Sequence, residues 1–315
     1  TQRATIVFPK EGWWGLETKR IPSPDKHGSC LYDCPLKELD DIERLVPPQH
    51  VIDEEATARD VSRLTDAVGD VLTVNVERCP LYVTWLADIS YGMAQLRGLE
   101  QAMWDMMDNR EWLHRLAAFL RDGALRTHEQ AEAAGDWGLS SHQNQAMTYA
   151  KELPDPKANQ RGVKRKVLWH FVAAQEMTLV SPAQHEEFIF NYQKPIAEKF
   201  GLVAYGCCED LTNKIDMLRK LPNLRRIAVT PVANPKRCAE QIGRDYVISW
   251  RPNPAQMICC GFDPARVKSV VKQAMEDMKG CCVDITLKDV QTIGNRPQDL
   301  KEWVKAVRSV SDNYV

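Results

Sequence analysis

Leu202-Val203-Ala204-Tyr205-Gly206-Cys207-Cys208-Glu209-Asp210-Leu211 opens the part of the chain whose pattern decides the fold. Its four leading residues predict a short buried strand, Leu202 to Tyr205, and Leu211 to Lys220 predicts the helix that follows. The unit recurs downstream. Strand Arg226 to Val229 precedes helix Pro235 to Ile242, and strand Tyr246 to Ser249 precedes helix Pro264 to Met278. Strand Val283 to Leu287 precedes helix Gln298 to Val310. Short apolar strands alternating with amphipathic helices predict a parallel sheet covered by helices. The pattern alone does not separate a closed barrel from an open doubly wound sheet. No glycine-rich phosphate loop follows any strand, which weakens a nucleotide-binding version.

Upstream the signals are looser. Residues 1–50 carry Pro22, Pro24, Gly28, Pro35, Pro47 and Pro48 without clean periodicity, and read as an irregular N-terminal cap. The chain opens at Thr1 with no Met, the pattern of a trimmed or truncated terminus. Residues 53–68 predict a helix that Gly69-Asp70 ends, before a strand Val71 to Val76. Leu99 to Ala134 predicts a long helical stretch, with Leu113, Leu116, Ala117 and Leu120 at helical spacing and Asn109 capping a second helix inside it. Gly135 stops it, and a short strand Trp137 to Ser141 follows. Ser181-Pro182 is a strong helix start, with serine at the N-cap and proline at the first position.

The chain has 315 residues, 44% of them hydrophobic and 27% charged, with a formal net charge of −2. That length buries a large core as a single barrel. The charge leaves no electrostatic footprint for nucleic acid or an anionic membrane surface. No apolar run approaches the roughly 18 residues needed to span a bilayer, and no signal core is present. The expected compartment is the cytoplasm. Ten cysteines in a chain this long read as reduced thiols rather than a disulfide scaffold. Three pairs are adjacent: Cys207-Cys208, Cys259-Cys260 and Cys281-Cys282. Neighbours on a strand face opposite sides, so regular geometry is not expected to converge two such thiols; the last two pairs read as structural.

Several stretches, in order, carry a family likeness. Met107-Asp108-Asn109-Arg110-Glu111-Trp112-Leu113 matches a "D-x-P-E-L-V" helix, and Ala134-Gly135-Asp136 leads to a strand end at His142. Val180-Ser181-Pro182-Ala183-Gln184-His185-Glu186-Glu187-Phe188, with Tyr192, matches "S-P-x-x-F-E-E-F-x-x-P-Y". Arg251-Pro252-Asn253-Pro254 matches "G-N-x-D-P", and Asn295-Arg296-Pro297-Gln298-Asp299-Leu300 matches a closing "T-P-E-N-L". Over roughly the last two-thirds to three-quarters of its length the chain resembles the uroporphyrinogen decarboxylase superfamily. That superfamily also holds zinc-dependent methyltransferases serving corrinoid proteins and coenzyme M, and cobalamin-independent methionine synthase. The resemblance implies an α/β fold, a (β/α)₈ TIM barrel spanning 51–315 as the catalytic domain.

The departures are specific. Where the zinc methyltransferases carry "His-x-Cys" after the fifth strand, this chain has Tyr205-Gly206-Cys207-Cys208-Glu209, with tyrosine in place of histidine. Where they carry Gly-Cys or Gly-His after the eighth, it has Lys288-Asp289. The decarboxylases' strand-end Asp falls at His142. Neither activity transfers unchanged.

In a barrel the chemistry collects at the C-terminal ends of strands. Cys207, Cys208 and Glu209 offer thiolates and a carboxylate suited to zinc, which would activate a substrate thiol; the alternative is a buried cysteine pair with Glu209 capping a helix. His142 is a candidate ligand or general acid/base. His170 is a further metal candidate, set against a core histidine. Glu176 stands out as a charge in apolar surroundings. Arg251 suits an anionic substrate group. Lys288 could bind an anion, and Asp289 could hold a cation or take a proton; as strand neighbours, at most one is expected to face the mouth.

The leading expectation is a methyltransferase or demethylase acting between a small-molecule substrate and a corrinoid protein or thiol, with the corrinoid on the partner. The alternatives are a metal-free lyase or decarboxylase using Lys288, Arg251 and His142, and a non-catalytic ligand-binding barrel. A homo-oligomer is compatible with each.

Overall fold

A computed structural model describes residues 1–7, 9, 11–25, 28–80, 88–139, 150–259, 261–290 and 292–314. The chain divides into two compact units, Thr1–Val203 and Ala204–Val315.

In the first unit the strands are short: β1 (Gln2–Arg3) pairs in parallel with β4 (Val76–Glu77), and β2 (Lys19–Ile21) pairs antiparallel with β3 (Leu31–Asp33). Helix α1 (Glu54–Val68) starts at Asp53, whose carboxylate accepts the Ala56 N–H. The strand expected over Val71 to Val76 begins only at Val76. The Val71 and Leu72 amides bond back to the Val68 carbonyl, so the chain is still turning off α1, and both side chains are exposed.

Helices α2 (Ile89–Leu96), α3 (Leu99–Asp108) and α4 (Arg110–Ala134) supply half of the buried residues in this unit's larger core cluster. Leu113, Leu116, Ala117, Leu120 and Ala124 put one buried stripe along α4, as the helical spacing predicts. The break at Asn109 is where expected, but its side chain does not cap α4; it donates to Asp105, which also takes the buried Arg97 guanidinium at 2.7 Å. Gly135 ends α4 in the left-handed conformation, φ 71°, that favours glycine. Residues 137–139 form no strand; Ser140 and Ser141 lie outside the described residues. Ser181 caps α5 (Pro182–His185), accepting from the Gln184 N–H, and a wide turn carries the chain through Glu186–Phe190 into α6 (Asn191–Ala197).

Strands β5 (Trp169–Val172), β6 (Leu202–Tyr205), β7 (Leu224–Val229), β8 (Val247–Trp250) and β9 (Cys282–Ile285) form one parallel sheet in that order. The α/β alternation expected from Leu202 onward is present. Helices α7 (Ile215–Leu218), α8 (Pro235–Ile242), α9 (Pro264–Asp277) and α10 (Pro297–Ser311) follow β6 to β9. The helix predicted from Leu211 to Lys220 contracts to four residues, because Asp210 turns its carboxylate onto the Thr212 N–H and hydroxyl and holds the segment before α7 in a turn.

Register fixes the faces of the sheet. Ala228 pairs with Ser249 and Ser249 with Asp284, so these three and Arg226 share one face. Arg226 reaches across β8 and donates to Asp284 at 2.5 and 2.7 Å, and Ser249 donates to the same carboxylate at 3.1 Å. The opposite face carries Ile227, Val229, Ile248 and Trp250, all buried. Among the described residues no helix is long and apolar enough to cross a membrane.

Candidate active site

Three short links, after β6, β8 and β9, place the chemistry. Strand β6 ends at Tyr205, and Gly206 turns the chain with φ 105°. A Cβ on Gly206 would lie 2.7 Å from both Ala228 Cβ and Leu211 Cδ1, so close packing and backbone conformation both demand glycine. Gly206→Ala is expected to lower stability by about 1–3 kcal/mol through the conformational cost alone. Urea denaturation would show this as a lower midpoint.

Because the chain has left the strand, the alternation expected to separate Cys207 from Cys208 no longer applies. Their sulfurs lie 3.6 Å apart, Cys207 buried and Cys208 exposed. Strand β9 ends at Ile285, short of the predicted Leu287, and Asp289 adopts φ 59°. Lys288 and Asp289 therefore also escape strand geometry, and both approach the same thiol. Lys288 Nζ is 3.0 Å from Cys208 Sγ and 3.1 Å from Asp289 Oδ2, and Asp289 Oδ2 is 4.0 Å from the sulfur.

These contacts set the charge. A hydrogen bond from the Cys207 thiol and another from Lys288 pull the Cys208 thiol down to about 6, against partial burial and the Asp289 carboxylate. The Cys207 thiol is pushed up, by its bond to Cys208 and by burial. Burial opposes the Lys288 charge, but its bond to Cys208 and the neighbouring thiols and carboxylate outweigh it and raise its pKa. The arrangement favours a thiolate on Cys208 beside a Cys207 thiol and a Lys288 ammonium.

Arg251 follows β8 and is buried. Its guanidinium donates to the carbonyls of Gly206 and Cys207, pinning the turn that presents the thiols. Burial lowers its pKa, partly offset by Cys207 and Glu209. Glu209 is fully buried and its carboxylate accepts the Cys207 N–H at 2.6 Å. Six of the residues singled out in the sequence therefore meet in one cluster: Cys207, Cys208, Glu209, Arg251, Lys288 and Asp289.

The others are placed elsewhere. Glu176 accepts from the Ser90 hydroxyl at 2.7 Å and from Gln175 at 3.3 Å, near the start of α2 and beside Asp88, so its surroundings are more polar than the sequence suggests. His170 is buried on β5, stacked on Phe200 with centroids 4.2 Å apart and edge-on to His128. His142 lies outside the described residues. Of the remaining adjacent pairs, Cys259 and Cys282 are exposed and Cys281 is half-buried, while Cys260 lies outside the described residues.

Three residues near the cluster escaped the sequence reading. Lys214 is buried with Glu209 and Asp210 as neighbouring carboxylates, which partly offset the lowering of its pKa by burial. Arg226 and Asp284 form the ion pair on the polar sheet face. The available signal was Asp284 itself, the one charge between Val283 and Ile285 in an apolar strand.

Zinc requires at least three protein ligands. Here the two sulfurs converge, but Glu209 is committed to a backbone N–H, and Lys288 sets an ammonium against the sulfur that would bind a dication. Among the described residues no group of three His, Cys, Asp or Glu side chains is arranged to hold a metal. With His142 outside the described residues, the described donors fall short of the three that a zinc site takes. No family model matches the chain, and no curated protein matches it.

Proposed function

We propose that the chain is a methyl-transfer enzyme on a sheet that closes into a (β/α)₈ barrel, with the Cys208 thiolate as transient methyl carrier. The observation that carries the reading is an exposed sulfur 3.0 Å from Lys288 Nζ, beyond the C-terminal ends of β6 and β9. Strand ends of a parallel barrel are where such enzymes collect reactive groups.

The closed barrel is supported by the resemblance and by the strand–helix alternation from β6 to α10.

The chemistry consists of two displacements. The Cys208 sulfur forms an S–C bond to the methyl carbon while the donor's C–X bond breaks, X leaving with the electron pair. A second nucleophile then takes the methyl group, and the C–S bond breaks with the pair returning to sulfur. The environment that keeps Cys208 ionised favours both steps, since a thiol of low pKa is present as thiolate and is also a better leaving group. Lys288 stabilises the anion at the start and at the end. The resemblance supports methyl as the group, a small molecule as one substrate and a partner-borne corrinoid as the other. Arg251, committed to two carbonyls, is a positioning residue rather than the anion binder of a lyase.

Methylcobalamin and 2-mercaptoethanol serve as test donor and acceptor. Wild-type protein is expected to accelerate methyl transfer between them, and Cys208→Ser to abolish the acceleration. Equal rates in the two proteins would overturn the reading. Dialysis against a chelator is expected to leave the rate unchanged; loss restored by zinc would assign Lys288's role to a metal.

A further inference from the structure

We propose that Cys208 and Cys207 are a hydroperoxide-reducing dithiol: Cys208 attacks the peroxide, Cys207 resolves the product, and a small thiol reopens the resulting disulfide. The inference rests on Cys208 being the reactive thiol of the site, though it needs no methyl donor.

Geometry divides the labour between the sulfurs. Cys208 is exposed and can meet a peroxide, while Cys207 is buried and only 3.6 Å from it, screened from solvent yet within reach of its neighbour. Lys288 Nζ, 3.0 Å from Cys208 Sγ, can protonate the departing oxygen. In the first step the sulfur forms an S–O bond and the O–O bond breaks. The distal oxygen stays on Cys208 as a sulfenic acid, and the alkoxide leaves and is protonated to an alcohol. In the second step the Cys207 sulfur attacks Cys208, the S–O bond breaks and water leaves. Two equivalents of a small thiol then reduce the disulfide and are released as their own disulfide. The sum is hydroperoxide plus two thiols giving alcohol, water and a disulfide.

Two distances favour turnover over a dead end. The sulfurs need to approach from 3.6 Å to about 2.05 Å, a movement of about 1.5 Å shared between side-chain rotation and the turn after Gly206. Adjacent Cα atoms sit only about 3.8 Å apart, below the roughly 4.4 Å minimum usual for disulfides. The bridge is therefore strained and easily reduced, the property of labile disulfides.

Hydrogen peroxide is the probe, with peptide mapping to separate this pair from Cys259 and Cys282 and dimedone to trap sulfenic acid. Wild-type protein is expected to lose the Cys207 and Cys208 thiols together, form no lasting dimedone adduct at Cys208, and recover both thiols with dithiothreitol. Cys207→Ser is expected to retain a dimedone adduct at Cys208. A wild-type adduct as persistent as that of Cys207→Ser would overturn the proposal, as would a Cys208 that resists peroxide while Cys259 reacts. A disulfide without methyl transfer would remove only the methyl-transfer reading; methyl transfer without a disulfide would remove only this one.

Discussion

Lys288→Met is expected to raise the pH midpoint for alkylation of Cys208 by iodoacetamide by about 1–2 units, within the usual effect of losing an opposite charge in contact. In the wild type the midpoint is expected at about 6, well below that of an ordinary thiol. The sign follows from the charges facing Cys208. Lys288 stabilises the thiolate, so its removal favours the protonated form and the pKa rises. Asp289, whose carboxylate is 4.0 Å from the sulfur, acts in the opposite sense, and Asp289→Asn should move the midpoint down. The Cys207 hydrogen bond survives both substitutions, so the Lys288→Met midpoint should remain below that of a free thiol. Rate profiles from pH 5 to 10, read at the Cys208 peptide, decide the matter. An unmoved midpoint would mean that Lys288 contributes nothing to the nucleophile.

Asp284→Ala should cost about 3–5 kcal/mol of stability, because it strands the Arg226 charge in the sheet interior. The Arg226 side chain is 2% exposed and that of Asp284 20%, so the guanidinium has little recourse to water. Ser249 and Thr286 lose an acceptor as well. Set against total stabilities of about 5–15 kcal/mol, this is a large fraction. Arg226→Met combined with Asp284→Leu removes both charges and should recover most of the loss, since buried ion pairs are often replaceable by apolar residues of similar volume. Urea midpoints for the single and double variants test this. A single variant within about 0.5 kcal/mol of wild type would show that solvent reaches Arg226 freely.

What the sequence disclosed follows from which forces are local. Strand β6 and helix α8 fall on the predicted residues, because a short apolar run between breakers and a Pro-started amphipathic turn are local signals. The strand at Val71 was misread for the opposite reason. Its apolar residues look like a strand, but only pairing makes one, and the amides there are already bonded back to Val68. The cluster was half legible. Cys208, Lys288 and Asp289 could be named as strand-end residues, yet their convergence depended on where β6 and β9 stop and on the left-handed residues Gly206 and Asp289. Applying strand alternation a few residues too far wrongly kept the two sulfurs apart, and likewise Lys288 and Asp289. Arg251 was read as an anion binder from its free fork of donors; the carbonyls that occupy that fork are set by the β6 turn, which composition does not reveal.

The claim that Cys208 carries the methyl group is tested most directly by the mass of the peptide containing it. Protein incubated with methylcobalamin at neutral pH, without an added acceptor thiol, would be digested and its cysteine peptides mapped. The account predicts one methyl group on Cys208 and none on Cys207 or the exposed Cys259 and Cys282, with the label lost in Lys288→Met at a pH near 6. An unmodified Cys208 under conditions where methyl transfer to 2-mercaptoethanol proceeds, or equal methylation of all exposed cysteines, would contradict it.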